Sequence, residues 1–139
     1  MTPTLFLRIA SVLTVLHSIL HTIGGVLSKP KDLEQIAVIE TMKSHTFNVM
    51  GSMRTFWDFF FGYGLGVTVT LLIQGILFWM LGSLVKTSPA AVKPIVGLFS
   101  INFAVMSVIV SKYFFIAPGV TEALITVSLA AAYFTTASA

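Results

Sequence analysis

Two histidines stand one helical turn apart in an otherwise apolar stretch of the chain, LHSILHTIGG. On a helix, His17 and His21 lie on the same face and can share a ligand. Zinc-peptidase helices use this spacing, but there a glutamate follows the first histidine and a third ligand completes the site. Here a serine follows His17, and the third ligand would have to be His45, Asp58 or Glu122. A metal site is therefore not the interpretation that we favour.

Other chemistries remain open for the two imidazoles. A haem held between both is geometrically poor because axial ligands approach the iron from opposite faces, although one histidine can ligate haem alone or with a partner subunit. The default is a pair of neutral imidazoles that form hydrogen bonds across helices. The last alternative is proton or ligand handling, in which an imidazole near Asp58 or Glu122 forms an acid–base couple. The sequence identifies no cofactor.

The composition is typical of a polytopic membrane protein. The chain of 139 residues is 56% hydrophobic and 9% charged, with a mean hydropathy of +0.96. Soluble domains carry about 25% charged residues. The net charge of +3 includes no basic block, so nucleic acid is not an expected partner. The absence of cysteine excludes disulfides and thiolate chemistry.

Four apolar stretches reach the length of about 20 residues that is needed to cross the hydrocarbon core. The predicted spans are residues 5–27, 56–85, 92–116 and 119–137. The fold class is therefore all-α, with residues 1–139 forming a single four-helix transmembrane bundle. Arg8 before the first apolar run resembles the start of a signal peptide, but no small-x-small cleavage motif follows, so we expect a retained anchor.

Prolines mark the expected boundaries between the later spans. Ser88 is placed to cap the third helix, with Pro89 or Pro94 in its first turn. Pro118 fits the first turn of the fourth helix. With an even number of spans, both termini lie on one side of the membrane and the connector 28–55 lies on the other.

The connector is the one long segment outside the predicted spans. Leu33, Ile36, Ala37 and Glu40 follow helical spacing and predict a short helix at the bilayer surface between the first two spans. The alternative is a solvated linker. The positive-inside rule favours a cytoplasmic connector, because five basic residues lie on its side against three on the side of the termini. These are Lys29, Lys31, Lys43, Arg54 and Lys112 against Arg8, Lys86 and Lys93.

The spacing of polar residues in the predicted spans indicates which helix faces point into the protein. In the first span a stripe recurs at alternating spacings of three and four: Leu7, Ala10, Thr14, His17, His21, Gly24 and Ser28. Such a stripe occupies one helix face and is expected to point into protein. In the second span, Gly62-x-x-x-Gly66 predicts a close approach of another helix. Arg54 and Asp58 are spaced for an i,i+4 ion pair at the membrane boundary.

The predicted topology brings ionisable or phenolic groups from all four helices to the connector side. The candidate ligand-binding residues are His17, His21, Arg54, Trp57, Asp58, Tyr113 and Glu122. Three of these, His21, Asp58 and Glu122, are also candidates for acid–base catalysis. The location of Arg54 is explained in part by snorkelling of its side chain to the membrane surface. Glu122 in a first helical turn is also explained simply by its favourable interaction with the helix dipole.

Two motifs carry a family resemblance. SMRTFWDFFFGYGL, with LHSILHTIGG upstream, resembles a group of small bacterial four-helix membrane proteins that are broadly DoxX-like in size and architecture. That group has no settled activity, so the resemblance implies a fold and a bacterial inner-membrane location but no mechanism. By analogy alone, Trp57, Asp58, His21 and Glu122 imitate the acids and tryptophan around the lipid-sized pocket of sterol-isomerase-type bundles.

Three functions are compatible with these features. The first is a membrane protein whose one-leaflet polar pocket binds a lipid-like or quinone-like molecule, with or without proton-transfer catalysis. The second is an assembly subunit of a homo-oligomer or larger membrane complex. The third is a proton-coupled small-molecule transporter, which would have to be oligomeric because four helices are too few to form a pathway. Whether the protein is an enzyme is left open.

Overall fold

The computed structural model describes residues 2–137 and is helical apart from one short hairpin. In chain order the elements are α1 (Pro3–His21), a π-helical segment (Thr22–Val26), α2 (Leu33–Ser44), β1 (Thr46–Val49), β2 (Ser52–Thr55), α3 (Phe56–Leu84), α4 (Pro89–Tyr113) and α5 (Ile116–Thr135). Four helical stretches are long and apolar enough to cross a membrane: Pro3–Val26, Phe56–Leu84, Pro89–Tyr113 and Ile116–Thr135. The prediction of four helices able to span a membrane is confirmed.

Three of the predicted boundaries lie three residues too late: both ends of the third span and the start of the fourth. α4 begins at Pro89, not at residue 92, because proline lacks the N–H that a first helical position leaves unused. Pro118 lies within the first turn of α5, as predicted, and the helix therefore begins at Ile116. Ser88 precedes α4, but its side chain makes no capping hydrogen bond.

The chain divides into two compact units. The first contains residues 2–17 and 71–137 of the described chain, and the second is Ser18–Thr70. The hydrophobic core belongs to the first unit, where it includes Leu7 of α1, Phe78 of α3, Phe103 of α4 and Leu129 of α5. All four helices therefore contribute to one core in that unit.

Contact between α4 and α5 is the most extensive between helices in the first unit. It depends on Gly119, because a Cβ atom added there would collide with the Ser111 side chain. The Ser107 hydroxyl donates a hydrogen bond to the Gly119 carbonyl at 3.0 Å. Small and hydroxyl-bearing residues allow this close packing, as is common in membrane helices.

The outward side of the first unit is covered with large apolar side chains. On α4 alone, Leu98, Ile101, Val105 and Val108 are all more than half exposed and recur at helical spacing. Water-soluble monomers rarely expose continuous apolar surfaces of this kind. The length and composition of the helices indicate a membrane protein.

The second unit contains a hairpin that the sequence analysis did not predict. β1 and β2 pair antiparallel, with Thr46 opposite Thr55 and Val49 opposite Ser52. The turn residues Met50 and Gly51 both have positive φ, 50° and 88°. Two consecutive positive φ angles are typical of the type I′ turn that joins two strands directly.

The helix α2 occupies the position of the predicted connector helix. Asp32 caps it by accepting a hydrogen bond from the backbone N–H of Gln35. The apolar residues Ile36–Ile39 are consecutive and therefore spread around the helix, and α2 has no buried residue. The predicted apolar face is thus poorly defined, and the position of α2 on a bilayer surface stays a prediction.

Candidate functional site

The polar stripe of α1 faces protein over the first part of its predicted length. Leu7, Ala10 and Thr14 are fully buried, and His17 is 7% exposed. His21 is half-buried and contacts α3, but from Gly24 onward the prediction is wrong, because Gly24 and Ser28 are exposed. The π-helical segment Thr22–Val26 widens the turn and changes the angular step between residues, so that the stripe no longer continues on one face.

The structure brings together two of the predicted site residues, His17 of α1 and Glu122 of α5. His17 Nδ1 lies 3.3 Å from Glu122 Oε1, and Glu122 is only 3% exposed. Glu122 is also the only acidic residue in residues 2–17 and 71–137. Its second oxygen, Oε2, is buried and has no hydrogen-bond partner among the described residues. The carboxylate therefore has one buried oxygen that accepts no hydrogen bond from the described residues.

This pair has the elements of an acid–base couple. With one proton shared between an imidazole and a carboxylate, the pair has no net charge, which is the least costly state in a low-dielectric environment. Gaining or losing a proton leaves a net charge buried in the helices. A basic or acidic group of a bound molecule can offset that charge while the proton is transferred.

The second histidine has a different environment. His21 Nε2 lies 3.1 Å from the Gly64 carbonyl of α3. Because a carbonyl oxygen only accepts, Nε2 must carry the proton in this contact. Nearby, Ser18 donates to the Thr68 carbonyl at 2.8 Å. His21 thus belongs to a row of side chains that join the end of α1 to α3, which is the default role expected for an imidazole here.

The Asp58 carboxylate caps the start of α3. Its Oδ2 accepts from the backbone N–H of Thr55 at 2.7 Å, and the Thr55 hydroxyl accepts from the backbone N–H of Asp58 at 3.1 Å. This is a reciprocal capping box, for which the sequence signal is the spacing in TFWD. Within Ser18–Thr70, Asp58 makes no hydrogen bond or ion pair with His21.

Arg54 and Asp58 do not form the predicted close i,i+4 pair on a helix, although the two charges still attract each other. Arg54 belongs to strand β2, and helical i,i+4 geometry does not extend to it because α3 begins at Phe56. Arg54 instead donates from Nη1 to the Met53 carbonyl.

The two remaining candidates are aromatic residues near the ends of helices. Trp57 is half-buried, and the Lys43 ammonium lies 5.1 Å from its ring centre. Tyr113 ends α4 and is 70% exposed, with the Lys112 ammonium 5.4 Å from its ring. Both arrangements are typical of aromatic residues at a membrane–water boundary. The complete ligand-binding set predicted from the sequence stays a prediction.

A metal site finds no support in residues 2–137, which contain no group of three or more histidine or acidic side chains placed to hold an ion. His45, considered above as a third ligand, has its Nδ1 2.9 Å from the Ser44 hydroxyl. It also lies 3.2 Å from the Thr41 carbonyl. These contacts are local to the end of α2.

Sequence reasoning missed a polar contact between α1 and the end of α3. Arg8 donates from Nη2 to the Ser83 hydroxyl at 2.8 Å and stacks over Trp79, with 3.5 Å between the guanidinium carbon and the ring centre. The available signal was that Arg8 lies near the start of one span, while Trp79 and Ser83 lie near the end of the next. Adjacent antiparallel spans bring such positions to the same level.

Comparison of the chain with models of known protein families, with curated proteins and with solved structures finds no match.

Proposed function

We propose that this protein binds a lipid-like or quinone-like molecule within the membrane and exchanges a proton with it through His17 and Glu122. The observation that carries the proposal is the distance of 3.3 Å between these two buried side chains on α1 and α5. Ionisable residues are costly to bury in membrane helices, and where they occur they commonly mark ligand, ion or proton sites.

The proposed chemistry is a reversible proton transfer. The proton shared by the pair moves to a basic oxygen of the bound molecule, and the pair keeps a net negative charge until it is protonated again. In the opposite direction, Glu122 Oε2 accepts a hydroxyl proton of the ligand when the helices separate enough to admit it, because this buried oxygen has no hydrogen-bond partner among the described residues. His17 acts through Nδ1, which contacts the other carboxylate oxygen. The apolar surroundings favour a ligand that enters from the lipid.

The roles of the other candidates follow from their contacts. His21 holds α1 against α3 through the Gly64 carbonyl, and Asp58 caps α3. The proposal therefore assigns the proton to Glu122 and His17 and gives His21 and Asp58 positioning roles. This differs from the sequence-based hypothesis, in which His21 and Asp58 were catalytic candidates.

The experiment measures both binding and proton exchange. Native mass spectrometry of the purified protein first identifies any retained lipid or quinone. Calorimetric titration with a short-chain ubiquinone, in buffers of different ionisation enthalpy, then gives the number of protons exchanged upon binding. We expect Glu122→Gln to weaken ubiquinone binding about tenfold, as the loss of one charge-assisted hydrogen bond does, and to abolish the proton exchange.

A matched control is Ser128→Ala. Ser128 is another buried polar residue of α5, and its hydroxyl bonds to the Leu124 carbonyl of its own helix. The control should bind ubiquinone like the unmodified protein. The proposal is overturned if Glu122→Gln binds with unchanged affinity and proton exchange, or if the protein retains no such molecule and binds no ubiquinone.

A second candidate function is that of an assembly subunit, and the open face of α3 favours it. A Cβ atom added at Gly62 or Gly66 would meet nothing within 4 Å, so this Gly-x-x-x-Gly face is not used for packing against the described residues. Such faces commonly bind another transmembrane helix. The partner would be a second copy of this chain or a different membrane protein.

Oligomeric state in lipid nanodiscs or mild detergent tests this second function. Gly62→Ile places a branched side chain on the open face and should dissociate a complex that uses it. Val69→Ile enlarges an exposed residue of the same helix and serves as the control. An oligomer that survives Gly62→Ile, or a protein that is monomeric throughout and purifies without a partner, contradicts the assembly function.

We also propose which membrane holds the protein and on which side of it the connector lies. Four apolar helices support a membrane protein, and the bacterial inner membrane rests on the family resemblance of the two sequence motifs. The connector helix α2 is proposed to lie at the cytoplasmic surface, which is supported by the larger number of basic residues on its side. Fractionation and cysteine accessibility of an Ala37→Cys variant would test both points.

A further inference from the structure

A shallow groove lies between α1 and α3 in the first unit. It has a volume of about 390 Å³, and its lining residues are Ser11, Val12, Val15, Leu16, Ile76 and Trp79. Apart from Ser11 the lining is apolar, and Trp79 is 51% exposed. The volume falls within the range of small-molecule sites, about 300–1,000 Å³. The groove is therefore open to an apolar group from the surroundings of the helices.

The floor of the groove is formed by a close helix contact. A Cβ atom added at Gly75 would lie 2.6 Å from a Val15 methyl group, so only glycine allows α3 to approach α1 so closely. The Ser11 hydroxyl donates to the Gly75 carbonyl at 2.6 Å. Because the Ser11 hydroxyl already donates this hydrogen bond, an apolar ligand in the groove does not leave a donor unpaired.

A guanidinium group lies at one end of this groove. Arg8 stacks on Trp79, which itself lines the groove. Arg8 donates once to Ser83, and its Nη1 is buried without a hydrogen-bond partner among the described residues. An arginine carries five N–H donors in a planar fork that suits phosphate and carboxylate groups. The positive charge of Arg8 and the Nη1 donors therefore have no acceptor among the described residues.

Among residues 2–17 and 71–137, no side-chain carboxylate is placed against Arg8. The one aspartate or glutamate there is Glu122, and it is placed against His17. The same end of the first unit as Arg8 carries two further basic residues, Lys86 after α3 and Lys93 in α4. Arg8 lies five residues into α1, about 8 Å from its first residue. A long side chain at this depth reaches the headgroup region of a bilayer.

We propose that the groove between α1 and α3 holds an acyl chain of an anionic phospholipid whose phosphate group contacts the Arg8 guanidinium. Charge complementarity selects the headgroup, because Arg8 has an Nη1 group without an acceptor and no carboxylate partner among residues 2–17 and 71–137. The apolar lining accepts the chain, and Trp79 contacts both parts of the lipid. This site is separate from the proposed proton site, since neither His17 nor Glu122 lines the groove.

The fluorescence of Trp79 provides a direct test. The chain has two tryptophans, so a Trp57→Phe background leaves Trp79 as the only one. The protein is placed in phosphatidylcholine bilayers that contain a minor fraction of lipid with brominated acyl chains, which quench nearby tryptophan. Brominated phosphatidylglycerol should quench Trp79 with an apparent affinity about fivefold above that of brominated phosphatidylcholine, the preference typical of one basic residue at an anionic membrane surface.

Two variants and two controls distinguish binding at this groove from general attraction of anionic lipids to the basic end of the unit. Arg8→Gln removes the headgroup contact, and Val12→Phe fills the groove. Both should abolish the preference for phosphatidylglycerol. Lys86→Gln removes one positive charge at the same end, and Val105→Phe enlarges an exposed residue of α4. Both should keep the preference. If Arg8→Gln does not fold, as judged by circular dichroism, the quenching measured with Val12→Phe tests the proposal alone.

Several outcomes overturn the proposal. Equal quenching by the two lipids means that the groove meets ordinary annular lipid, and no quenching by either means that another chain covers it. Loss of the preference in Lys86→Gln means that general attraction to the basic end is responsible. Excess inorganic phosphate, compared with chloride at equal ionic strength, should leave the preference unchanged. Its loss would show that free phosphate is the ligand.

Discussion

Thr55 and Asp58 exchange hydrogen bonds at the first turn of α3, each accepting from the backbone N–H of the other. The box satisfies N–H groups that the start of a helix otherwise leaves unpaired. It also joins strand β2 directly to α3, because Thr55 ends the strand and Phe56 begins the helix. The most distinctive polar motif of the second predicted span is therefore explained by local structure.

The first prediction concerns this capping box. Asp58→Ala should lower the free energy of unfolding by about 1 kcal/mol, the usual cost of losing a helix cap. The amide protons of Thr55 and Asp58 should exchange faster, as measured by hydrogen exchange with mass spectrometry in detergent. Asp32→Ala, which removes the cap of α2, is the control and should affect only that helix. Unchanged exchange at Thr55 in Asp58→Ala would contradict the assignment.

The second prediction compares two glycines of α3. Gly75→Ala should destabilise the protein by about 1–3 kcal/mol, because its Cβ would press on Val15 where α1 and α3 are in contact. Gly62→Ala should be neutral or stabilising by up to about 1 kcal/mol, since nothing lies within 4 Å of the added atom. Thermal unfolding in the same detergent measures both. Equal effects of the two substitutions would mean that the close approach at Gly75 is not essential.

The third prediction is a double-mutant cycle on the buried pair. His17→Ala and Glu122→Ala should each cost about 3–5 kcal/mol, because each breaks a buried pair of polar groups. The double variant should cost less than the sum, with a coupling energy of about 1–3 kcal/mol. Denaturant unfolding in mixed micelles measures the four proteins. His21→Ala combined with Glu122→Ala is the comparison cycle, and we expect its two effects to add.

Strict additivity for His17 and Glu122 would show that their side chains do not interact in the folded protein. It would also remove the basis of the proposed proton site. A large coupling, in contrast, would establish contact between the two residues without establishing function, which is why ubiquinone binding by Glu122→Gln is measured separately.

The long helices and the inward face of α1 could be predicted from the sequence, because both follow from local periodicity. Apolar runs of sufficient length specify the spans, and the regular spacing of Leu7, Ala10, Thr14 and His17 specifies a buried face. The same spacing continues through Gly24 in the sequence, but there the π-helical segment changes the direction of the stripe. A π-helix has about one more residue per turn than an α-helix, and the sequence TIGGV contains no pattern that predicts this difference.

The partner of each histidine could not be predicted in the same way. The sequence predicts both Glu122 and His21 on the connector side, whereas the structure places Glu122 against His17. Which residues of two helices meet depends on their rotation and axial offset, and small differences in packing determine both. The spacing of residues within one helix contains no information on these quantities.

The hairpin supplies the last prediction, because its turn carries a residue poorly suited to its conformation. Met50 has a φ of 50°, a left-handed conformation that costs most residues about 1–2 kcal/mol and that asparagine tolerates better. Met50→Asn should therefore create the favoured Asn-Gly pair and slow amide exchange in β1 and β2. The control Met53→Asn lies within strand β2, where asparagine is disfavoured, and should speed exchange. Faster exchange of both strands in Met50→Asn would contradict the type I′ turn, and a change outside the second unit would show that the hairpin does not open independently.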